Sequence, residues 1–558
     1  MSLTETIRKH ALKNAFDFGK PNPGAIAGKV IAEFPDAKKD MKETMRLIGE
    51  AVSEVGKLRK DEIEHKLKSY AFAEKKQEEK KLALPNAEYG KVVTRFPPEP
   101  SGYPHIGHAK AAFLDYGCAK EYGGKMILRF DDTNPEKESQ EYVDAIKEGL
   151  RWLGIEWDSE SYTSDSMPLF YEYAEKLIEK EAVYVCTCAQ EQISEGRSTG
   201  KPCACKSLGK EEALARWKKM HADYKPGDAI LRLKSDLQAQ NTVMRDPSLF
   251  RIIDSEHYRQ GKNYRVWPTY DFEAPIMDSA EGITHAMRTK EYELRDELYF
   301  LLLKLFGIRN PELVEFSRLS IKNAPISKRF ITPLVKEGKV AGWDDPRLPT
   351  LKGLARRGIL PEAIRNFVLS FGLSKVESEP GWDRLLSENR KLLEPRASHL
   401  FFVPDPIKIH LLNAQPRELE LKGHPNENIG TRPMKVSDFV YIPREDFEKI
   451  KEGETFRLKD LCNVKLISKK NFEVESAPDG MVEKKIQWVS DYIPAEVLRP
   501  HDLLVEGMYN ERSLEKIYGY AEKNAANLKP GHMVQFERFG FCRLDANKDG
   551  KQVYIYSC

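Results

Sequence analysis

Hydrophobic and polar residues alternate along the middle of the chain in a way that predicts strands followed by helices. A β-rich run over 91–96 predicts a strand, and apolar residues spaced three and four apart from Ala109 onward predict a helix. The apolar run 126–130 predicts a second strand, and another helical pattern runs from about residue 291 to residue 306. Alternating strands and helices predict a parallel sheet, with its ligand crevice at the carboxyl ends of the strands.

The segments before and after this region have different patterns. Residues 1–88 are highly charged and carry a helical apolar pattern over 45–55, which predicts a helical extension; the dense charge run 75–81 predicts an exposed helix end or linker. Residues 185–269 interrupt the alternation. Residues 396–558 contain short, regularly spaced apolar runs separated by turns, which predict one or two β-barrels. The pattern as a whole predicts a multidomain α/β protein.

Length and composition exclude several classes of protein. The chain has 558 residues, of which 41% are hydrophobic, so it is long enough for about three to five domains with real cores. The sequence contains no run of 18 apolar residues, the length typical of a membrane span. The first eight residues lack the apolar centre of a secretory signal. The net charge is only +2, so a nucleic-acid-binding surface requires local clustering of basic residues. We therefore expect a cytoplasmic protein without a membrane segment.

Two histidines in one loop are the first candidates for chemistry. Pro and Gly residues between 94 and 110 end the first strand, and His105 and His108 lie three residues apart where the next helix begins. A helix N-terminus favours the negative charge of a polyphosphate, and Gly107 has no side chain to keep a nucleotide from the backbone. An ordinary loop with two histidines and a His-x-x-His metal pair are the alternatives.

A second basic segment lies about 220 residues further along the chain. The stretch 315–329 contains the Ser-Lys pair Ser327 and Lys328. Such a pair alone has little predictive value, because lysines are mostly solvated surface residues. Together with the histidine loop, at this separation, it becomes a specific signal.

Four of the eight cysteines form two close pairs, Cys186 with Cys188 and Cys203 with Cys205. In a reducing cytosol disulfides are not expected, and four thiolates in two tight pairs suit tetrahedral Zn²⁺. The Cys-x-Cys spacing is tighter than the commoner Cys-x-x-Cys. Four thiols that bind no metal are the alternative. We expect a structural zinc site, because no open ligand position is implied.

The histidine loop and the Ser-Lys segment together resemble the ATP-binding signatures of class I aminoacyl-tRNA synthetases, in the form used by the glutamyl and glutaminyl branch. Ile326 stands where the family usually has methionine, which changes an apolar position and leaves the charges intact. The resemblance extends over essentially the whole chain, and the N-terminal segment resembles the extension of archaeal glutamyl members.

The resemblance implies a Rossmann-like catalytic domain with an inserted domain for the acceptor end of tRNA, helical segments, and C-terminal antiparallel β-barrels that bind the anticodon. The implied domains are a helical extension (1–88), the first part of the catalytic domain (89–184), the inserted domain with the cysteines (185–269), the second catalytic part with the Ser-Lys loop (270–330), a helical stem-contact segment (331–395) and the barrels (396–558).

The activity implied by the resemblance is ATP-dependent ligation of glutamate to tRNA(Glu) through a glutamyl-adenylate, with tRNA(Gln) left open as a second substrate. Use of ATP implies Mg²⁺ as a cofactor, bound largely through the phosphates of ATP and water. Catalysis is implied for His105, His108 and Lys328. The implied ATP-binding residues are Pro97, His105, Gly107, His108, Arg318, Leu319, Ser327 and Lys328. A glutaminyl member of the branch and a non-catalytic tRNA-binding relative are the alternatives.

Recognition of the amino acid is implied for Arg95, Asp131, Tyr270 and Arg288. Arg95 and Asp131 lie at predicted strand ends, where a guanidinium suits a substrate carboxylate and a carboxylate suits the α-ammonium. Which of the two substrate carboxylates Arg95 binds is left open. Tyr270 offers a hydroxyl and a ring that forms one wall of the site.

Arg288 is the position implied to select glutamate over glutamine. It lies in a segment expected to open a helix, and it matches an arginine of the glutamyl members of this branch. A buried guanidinium attracts the γ-carboxylate of glutamate and is left unpaired by the neutral amide of glutamine. A surface ion pair of Arg288 with Glu291 or Glu293 is the alternative.

Overall fold

The chain forms two units, with the boundary between residues 79 and 80. The structure is a computed structural model that describes residues 2–18, 21–58, 60–67, 70, 82–480 and 482–558. Leu82 and Leu84 belong to the second unit, where they are buried with Leu114 and Cys118. Leu82 and Leu84 therefore pack with the second unit, whereas the sequence analysis places them in the N-terminal extension.

The N-terminal unit is helical, as the sequence predicts. Its helices are α1 (Leu3–Phe18), α2 (Pro23–Glu33), α3 (Met41–Val55) and α4 (Lys60–Leu67). Asn22 and Asp40 cap the N-termini of α2 and α3, because their side chains accept hydrogen bonds from backbone N–H groups. Apolar residues such as Ile7 and Ile48 form the core of this unit. The predicted charge run 75–81 lies outside the described residues.

Strands and helices alternate from residue 93 onward and build a parallel sheet. The elements are β1 (Val93–Phe96), α5 (Ile106–Glu121), β2 (Lys125–Phe130), α6 (Gln140–Trp152), β3 (Ser159–Tyr162) and α7 (Met167–Glu179). The strands β1, β2 and β3 lie side by side in this order, and each pair is parallel, as predicted. The carboxyl ends of β1 and β2 therefore meet at one edge, where Arg95 is the second-last residue of one strand and Asp131 follows the other.

Helix α5 begins earlier than its apolar pattern predicts. Its first residue is Ile106, and His105 is its N-cap, whereas the pattern starts at Ala109. Gly107 and His108 interrupt the apolar spacing, so the spacing of apolar residues does not predict the first turn of the helix. The turn forms because the ring of His105 accepts the backbone N–H of Gly107, which replaces the missing intrahelical partner.

The segment between the two catalytic parts folds around an antiparallel sheet. Its elements are β4 (Val183–Cys186), α8 (Gln190–Thr199), α9 (Lys210–Ala222), β5 (Ile230–Leu233), β6 (Ser248–Ile252) and β7 (Val266–Pro268). The four strands pair in chain order, and every pair is antiparallel. The change from parallel to antiparallel pairing agrees with the interruption that the sequence predicts here.

The chain then returns to parallel pairing. The next elements are α10 (Tyr270–Ala280), β8 (His285–Thr289), α11 (Asp296–Phe306), β9 (Glu312–Phe316) and α12 (Lys328–Lys336). The prediction that Arg288 opens a helix is wrong, because it lies in β8, which pairs in parallel with β9. A short buried run such as 285–289 is ambiguous between helix and strand. The helix predicted from about residue 291 begins at Asp296, after a 3₁₀ turn over Lys290–Arg295, and ends at Gly307, which has a φ of 71°.

Three helices connect the catalytic part to the C-terminal strands. They are α13 (Leu351–Arg357), α14 (Pro361–Leu369) and α15 (Trp382–Leu393). Leu351, Leu354 and Phe367 share a core with Phe113 of α5, so this helical segment packs directly on the helix that begins at His105. Within the described ranges, no helix has the length and apolar character needed to cross a membrane.

The described C-terminal region contains two large sheets, of seven and six strands, and two smaller sheets of two strands each. Its elements are β10 (Ser398–Leu400), β11 (Phe402–Pro404), β12 (Pro406–Leu412), β13 (Arg417–Lys422), β14 (Thr431–Val436), β15 (Phe439–Pro443), α16 (Arg444–Glu448), β16 (Thr455–Leu458), β17 (Cys462–Ser468), β18 (Glu473–Ser476), β19 (Lys485–Ile486), β20 (Tyr492–Pro500), β21 (Leu504–Val505), β22 (Met508–Tyr509), β23 (Leu514–Glu522), β24 (Met533–Phe536), β25 (Gly540–Lys548) and β26 (Lys551–Tyr556).

Sheet order supports the predicted barrels. The seven-stranded sheet has β10 at one edge and β11 at the other, and these strands are separated in sequence only by Phe401, so its two edges meet. The six-stranded sheet runs from β15 to β19, and a bridge between Tyr441 and Val489 joins its edges. Most neighbours are antiparallel, as predicted, but β10–β24, β12–β18, β16–β19 and β20–β26 are parallel.

Candidate active site

The rings of His105 and His108 lie together at the start of α5, with centroids 4.0 Å apart. Nδ1 of His105 accepts the backbone N–H of Gly107 (3.1 Å), and Nδ1 of His108 accepts the backbone N–H of His105 (3.2 Å). A neutral imidazole carries one proton, so an accepting Nδ1 assigns that proton to Nε2. Each ring thus carries an Nε2–H donor that has no hydrogen-bond partner among the described residues.

Both imidazoles are held in the neutral form. Burial, followed by the charges of His108 and Arg318, lowers the pKa of His105 well below its usual value, and burial lowers the pKa of His108 to about 4. Backbone donors are scarcer than the sequence suggests, because Ile106 donates to the carbonyl of Pro349 (2.9 Å) and the N–H of residue 107 is capped by His105. The ring donors are therefore the stronger candidates for contacts with phosphate.

Gly107 is required by its protein neighbours. A Cβ at this position would lie 2.9 Å from Cε1 of His105 and 3.2 Å from the carbonyl oxygen of Leu319. The close approach of the segment after β9 is thus a second reason for glycine here, beside the room for a nucleotide that the sequence predicts. The same approach brings Arg318 beside the histidines, where its exposed guanidinium pairs with Glu291 (3.0 Å).

Lys110 fixes the position of this segment, and the sequence analysis did not single it out. Its buried ammonium donates to the carbonyl oxygen of Ser317 (2.5 Å) and to its hydroxyl (2.9 Å). Burial lowers the pKa of Lys110 to about 8. A lysine on the same helix as the two histidines, in an otherwise apolar stretch, is the signal that could have identified it.

The Ser-Lys segment lies against the histidine loop. Nζ of Lys328 is 3.3 Å from the carbonyl oxygen of Ser101 and 4.5 Å from the ring centroid of Tyr142. Ser327 is the exposed N-cap residue of α12. Pro97 is half-buried at the start of the same loop that contains Ser101. The two motifs, about 220 residues apart in sequence, are thus brought to one place.

Arg95 is more enclosed than the sequence suggests. Its side chain is 1% exposed; Nε donates to Asp278 Oδ1 (2.9 Å), Nη2 to Asp278 Oδ2 (3.4 Å), and Nη1 to the carbonyl of Met287 (2.6 Å). Three of its five N–H groups are engaged, which leaves two for a ligand. Asp131 is held in turn by Arg129 Nε (2.9 Å) and Thr163 (2.9 Å), both on its Oδ1.

Asp278 joins these two arginines, and the sequence analysis missed it. It accepts hydrogen bonds from Arg95 and from Arg129 Nη1 (2.8 Å) and is completely buried. Burial raises the pKa of Asp278, but the guanidiniums of Arg95 and Arg129 outweigh this effect and hold it at about 2. Its signal was a single carboxylate directly after the apolar stretch 274–277 of α10.

Arg288 is buried and has an unused donor. Its side chain pairs with Asp296, while its Nε has no hydrogen-bond partner among the described residues. The alternative of a surface ion pair with Glu291 or Glu293 is wrong, since Arg288 is 5% exposed and its carboxylate partner is Asp296. A buried donor without an acceptor is costly, which points to an anionic ligand.

Tyr270 lies near both arginines of the site. Burial raises the pKa of its hydroxyl above the usual range, and the neighbouring guanidiniums of Arg95 and Arg288 act in the opposite direction. Its ring packs against Tyr292, with centroids 4.8 Å apart. The structure thus brings Arg95, Tyr270 and Arg288 together, while Asp131 lies at the neighbouring strand end.

The four predicted cysteines converge at the start of the inserted segment. The sulfur atoms of Cys186 and Cys203 are 3.8 Å apart, those of Cys188 and Cys205 are 3.9 Å apart, and all four lie within 4.8 Å of one another. A tetrahedral zinc with Zn–S bonds of about 2.3 Å requires sulfurs about 3.8 Å apart, so the geometry fits.

Two arginines lie against this cluster. Arg216 approaches the sulfur of Cys205 (3.4 Å), and Arg232 approaches that of Cys186 (3.9 Å). Four thiolates around Zn²⁺ leave a net charge of −2, which these cations balance. The donor set and its charges both suit zinc.

A second group of possible metal ligands, Glu394, His399 and His424, fits a metal less well. Both ring nitrogens of His424 are engaged: Nδ1 accepts the N–H groups of Asn426 and Glu427, and Nε2 lies 2.8 Å from the carbonyl of Glu394. An imidazole that stabilises a turn in this way has no lone pair left for a metal.

Known protein families match the chain over most of its length. Residues 91–395 match the model described as "tRNA synthetases class I (E and Q), catalytic domain". Residues 397–479 and 485–545 match two models described as the anti-codon binding domain of the same class.

Curated relatives cover nearly the whole chain. It is 46% identical over 552 residues to the glutamate–tRNA ligase of Nitrosopumilus maritimus (strain SCM1), and 97% of each chain is covered. It is 40% identical over 546 residues to that of Cenarchaeum symbiosum (strain A), again with 97% of each chain covered. It is also 40% identical over 580 residues, the full length of both chains, to that of Pyrococcus abyssi (strain GE5 / Orsay).

Proposed function

Because the chain belongs to the class I tRNA synthetases of the E and Q family, we propose that its histidine loop and arginine pocket activate glutamate with ATP and transfer it to tRNA. The α-carboxylate attacks the α-phosphate of ATP and releases pyrophosphate. A ribose hydroxyl at the 3′ end of tRNA then attacks the glutamyl-adenylate and releases AMP. Neither step needs a side-chain nucleophile, so the protein acts by positioning and by stabilising charge.

The Nε2–H groups of His105 and His108 carry the nucleotide part of this proposal. Both rings are neutral, both Nδ1 atoms are occupied, and neither Nε2–H donor has a protein acceptor among the described residues. Such preorganised donors stabilise the charge that builds on phosphate oxygens during transfer. This is the observation that supports the reaction most directly.

Lys328 supplies a mobile charge to the same phosphates. Its ammonium rests on a backbone carbonyl and an aromatic ring, partners it can exchange for a triphosphate at little cost. Ser327 begins α12 beside it, and Arg318, Leu319, Gly107 and Pro97 border the nucleotide. Mg²⁺ enters with ATP and is held mainly by phosphate and water.

Arg288 binds the γ-carboxylate of glutamate by donating a hydrogen bond from its Nε–H, which has no acceptor among the described residues. The guanidinium of Arg95 adds positive charge to the same pocket. The hydroxyl of Tyr270 lies close to both guanidiniums. Asp131 accepts the α-ammonium through its free Oδ2. Glutamine offers Arg288 a neutral amide, which cannot replace the charge that the site is built to pair.

The remaining domains bind tRNA. The inserted segment 185–269, stiffened by a structural zinc, takes the acceptor end; the helices of 331–395 contact the stem; and the barrels of 396–558 bind the anticodon. The N-terminal extension is a separate helical module. We place the reaction in the cytoplasm, where tRNA is used in translation.

ATP–pyrophosphate exchange tests this function. We expect exchange that depends on glutamate and is unsupported by glutamine, measured with and without tRNA. Exchange driven by glutamine would identify a glutaminyl enzyme, and tRNA binding without any exchange would identify a non-catalytic relative. Charging of purified tRNA(Glu) and tRNA(Gln) with glutamate decides whether both are substrates.

A further inference from the structure

Glu273 is a buried carboxylate that no Lys or Arg pairs with inside the described ranges. It lies on α10, three residues after Tyr270, and therefore on the same face of that helix. Its side chain is 3% exposed. Oε2 accepts a hydrogen bond from the hydroxyl of Thr133 (2.6 Å), whereas the other oxygen has no hydrogen-bond partner in the part of the chain that the structure describes.

The charges around Glu273 are mostly negative. Burial raises the pKa of Glu273 well above its usual value, and the carboxylates of Asp131 and Glu138 raise it further. Arg129 opposes this effect from a distance, since its guanidinium pairs with other carboxylates. The pocket therefore contains more carboxylates than resident cations, and a bound cation would relieve the imbalance.

Resting on the proposed glutamate activation, we propose that Glu273 and Asp131 together bind the α-ammonium of the amino acid. An ammonium has three N–H donors, so it can satisfy the free oxygen of Glu273 and one oxygen of Asp131 at once. Among the described residues, Arg129 and Thr163 both donate to Oδ1 of Asp131, and none donates to Oδ2. Glu273 is thereby a second residue that binds the α-ammonium. The sequence analysis did not single out this position.

An independent observation points to the same ligand. The buried Nε of Arg288 has no acceptor within the described chain, so this guanidinium keeps one unused N–H donor beside its ion pair with Asp296. Tyr270 is close to this guanidinium and one helical turn from Glu273. Glutamate carries matching groups, a γ-carboxylate at one end and an α-ammonium at the other. A dicarboxylate without an ammonium satisfies only the arginine.

Ligand truncation tests the assignment in the full-length protein. Glutarate has both carboxylates of glutamate and no amino group. We expect Glu273→Gln to raise the KM for glutamate in ATP–pyrophosphate exchange by roughly tenfold or more, the scale of losing one charge-assisted hydrogen bond. The inhibition constant of glutarate should stay unchanged or fall. Glu281→Gln, which alters a carboxylate that pairs with Arg129, should leave the ratio of the two constants unchanged.

The outcomes are distinct from those that test the proposed function. If the wild type shows no glutamate-dependent exchange, the proposed function fails; if the wild type is active and Glu273→Gln weakens glutamate and glutarate equally, or neither, the ammonium assignment is overturned. Thr133→Val provides a second variant in case Glu273→Gln does not fold, because it removes only the hydroxyl that orients the carboxylate. It should weaken glutamate alone, and an equal effect on glutarate would also overturn the assignment.

Discussion

The backbone N–H of His105 donates to Nδ1 of His108 at 3.2 Å, and this contact fixes which nitrogen of His108 can reach a ligand. With Nδ1 occupied, the ring proton lies on Nε2. The two histidines thus act as a pair: one caps the first turn, and the other caps the residue before it. In the proposed function, the side chains that cap the helix are also the ones that bind phosphate.

Substitutions that mimic one nitrogen at a time should separate these two roles. His108→Ala is expected to lower the rate of glutamate activation by about 10²-fold, the scale of losing one preorganised donor. His108→Gln places an amide N–H near Nε2 and should retain more activity than His108→Asn, whose oxygen lies near Nδ1. Single-turnover activation rates measure the first role.

Thermal unfolding measures the second role. Asn at position 108 can still cap the N–H of His105, so His108→Asn should be the more stable of the two amide variants. Equal activation rates in wild type and His108→Ala would show that the ring does not contact the nucleotide.

A pH titration should detect the neutral state of His108. Its pKa is lowered from an ordinary 6.5 to about 4, so the unfolded chain binds a proton first as the pH falls. The stability that this residue contributes is therefore complete above pH 6.5 and lost between pH 6.5 and about 4. NMR of the ring protons should show titration near pH 4 without ATP and at higher pH with ATP, whose negative charge favours imidazolium. Titration of the free protein near pH 6.5 would contradict the buried, capped geometry.

The buried pairing of Asp278 predicts a large stability effect far from the phosphates. Asp278→Asn leaves two fully buried guanidiniums without their shared counter-charge and should lower the free energy of unfolding by about 3–5 kcal/mol. Asp271→Asn is the matched control on the same helix, since Asp271 pairs with the half-exposed Arg295, and it should cost less, about 1 kcal/mol. Chemical denaturation of both variants measures the difference. Equal costs would show that burial of this pair does not matter.

The four-cysteine cluster should hold one zinc per chain. Cys205→Ser should abolish zinc binding and make the inserted segment more sensitive to proteolysis, while ATP–pyrophosphate exchange persists. Cys462→Ser, outside the cluster, is the control and should keep the metal. Elemental analysis of protein purified without added metal measures the content. No zinc together with full activity would leave four ordinary thiols.

The sequence was most informative where function depends on short motifs. His105, His108 and Lys328 could be placed in one site because their segments resemble known signatures, and the structure brings those segments together. The parallel sheet and the barrels also follow from local patterns. Arg288 was placed in the wrong element because its short buried run carries no clear period.

Long-range pairing could not be predicted in the same way. Arg95 and Asp278 are 183 residues apart in sequence. Neither local sequence segment predicts that these two side chains form an ion pair. The same holds for Glu273, whose partner Thr133 lies 140 residues away. Buried charges such as these are stable only in the folded pocket, so their roles become visible once the strands are placed.

Selection of glutamate by Arg288 is the central claim, and one comparison tests it most directly. The measurement is kcat/KM for glutamate and for glutamine, with tRNA present, in the wild type and in Arg288→Cys. Loss of the charge should remove about 2–5 kcal/mol of the preference for glutamate, while glutamine need not become a good substrate, because its amide needs donors and acceptors of its own. A preference for glutamate that is unchanged in Arg288→Cys would contradict the account.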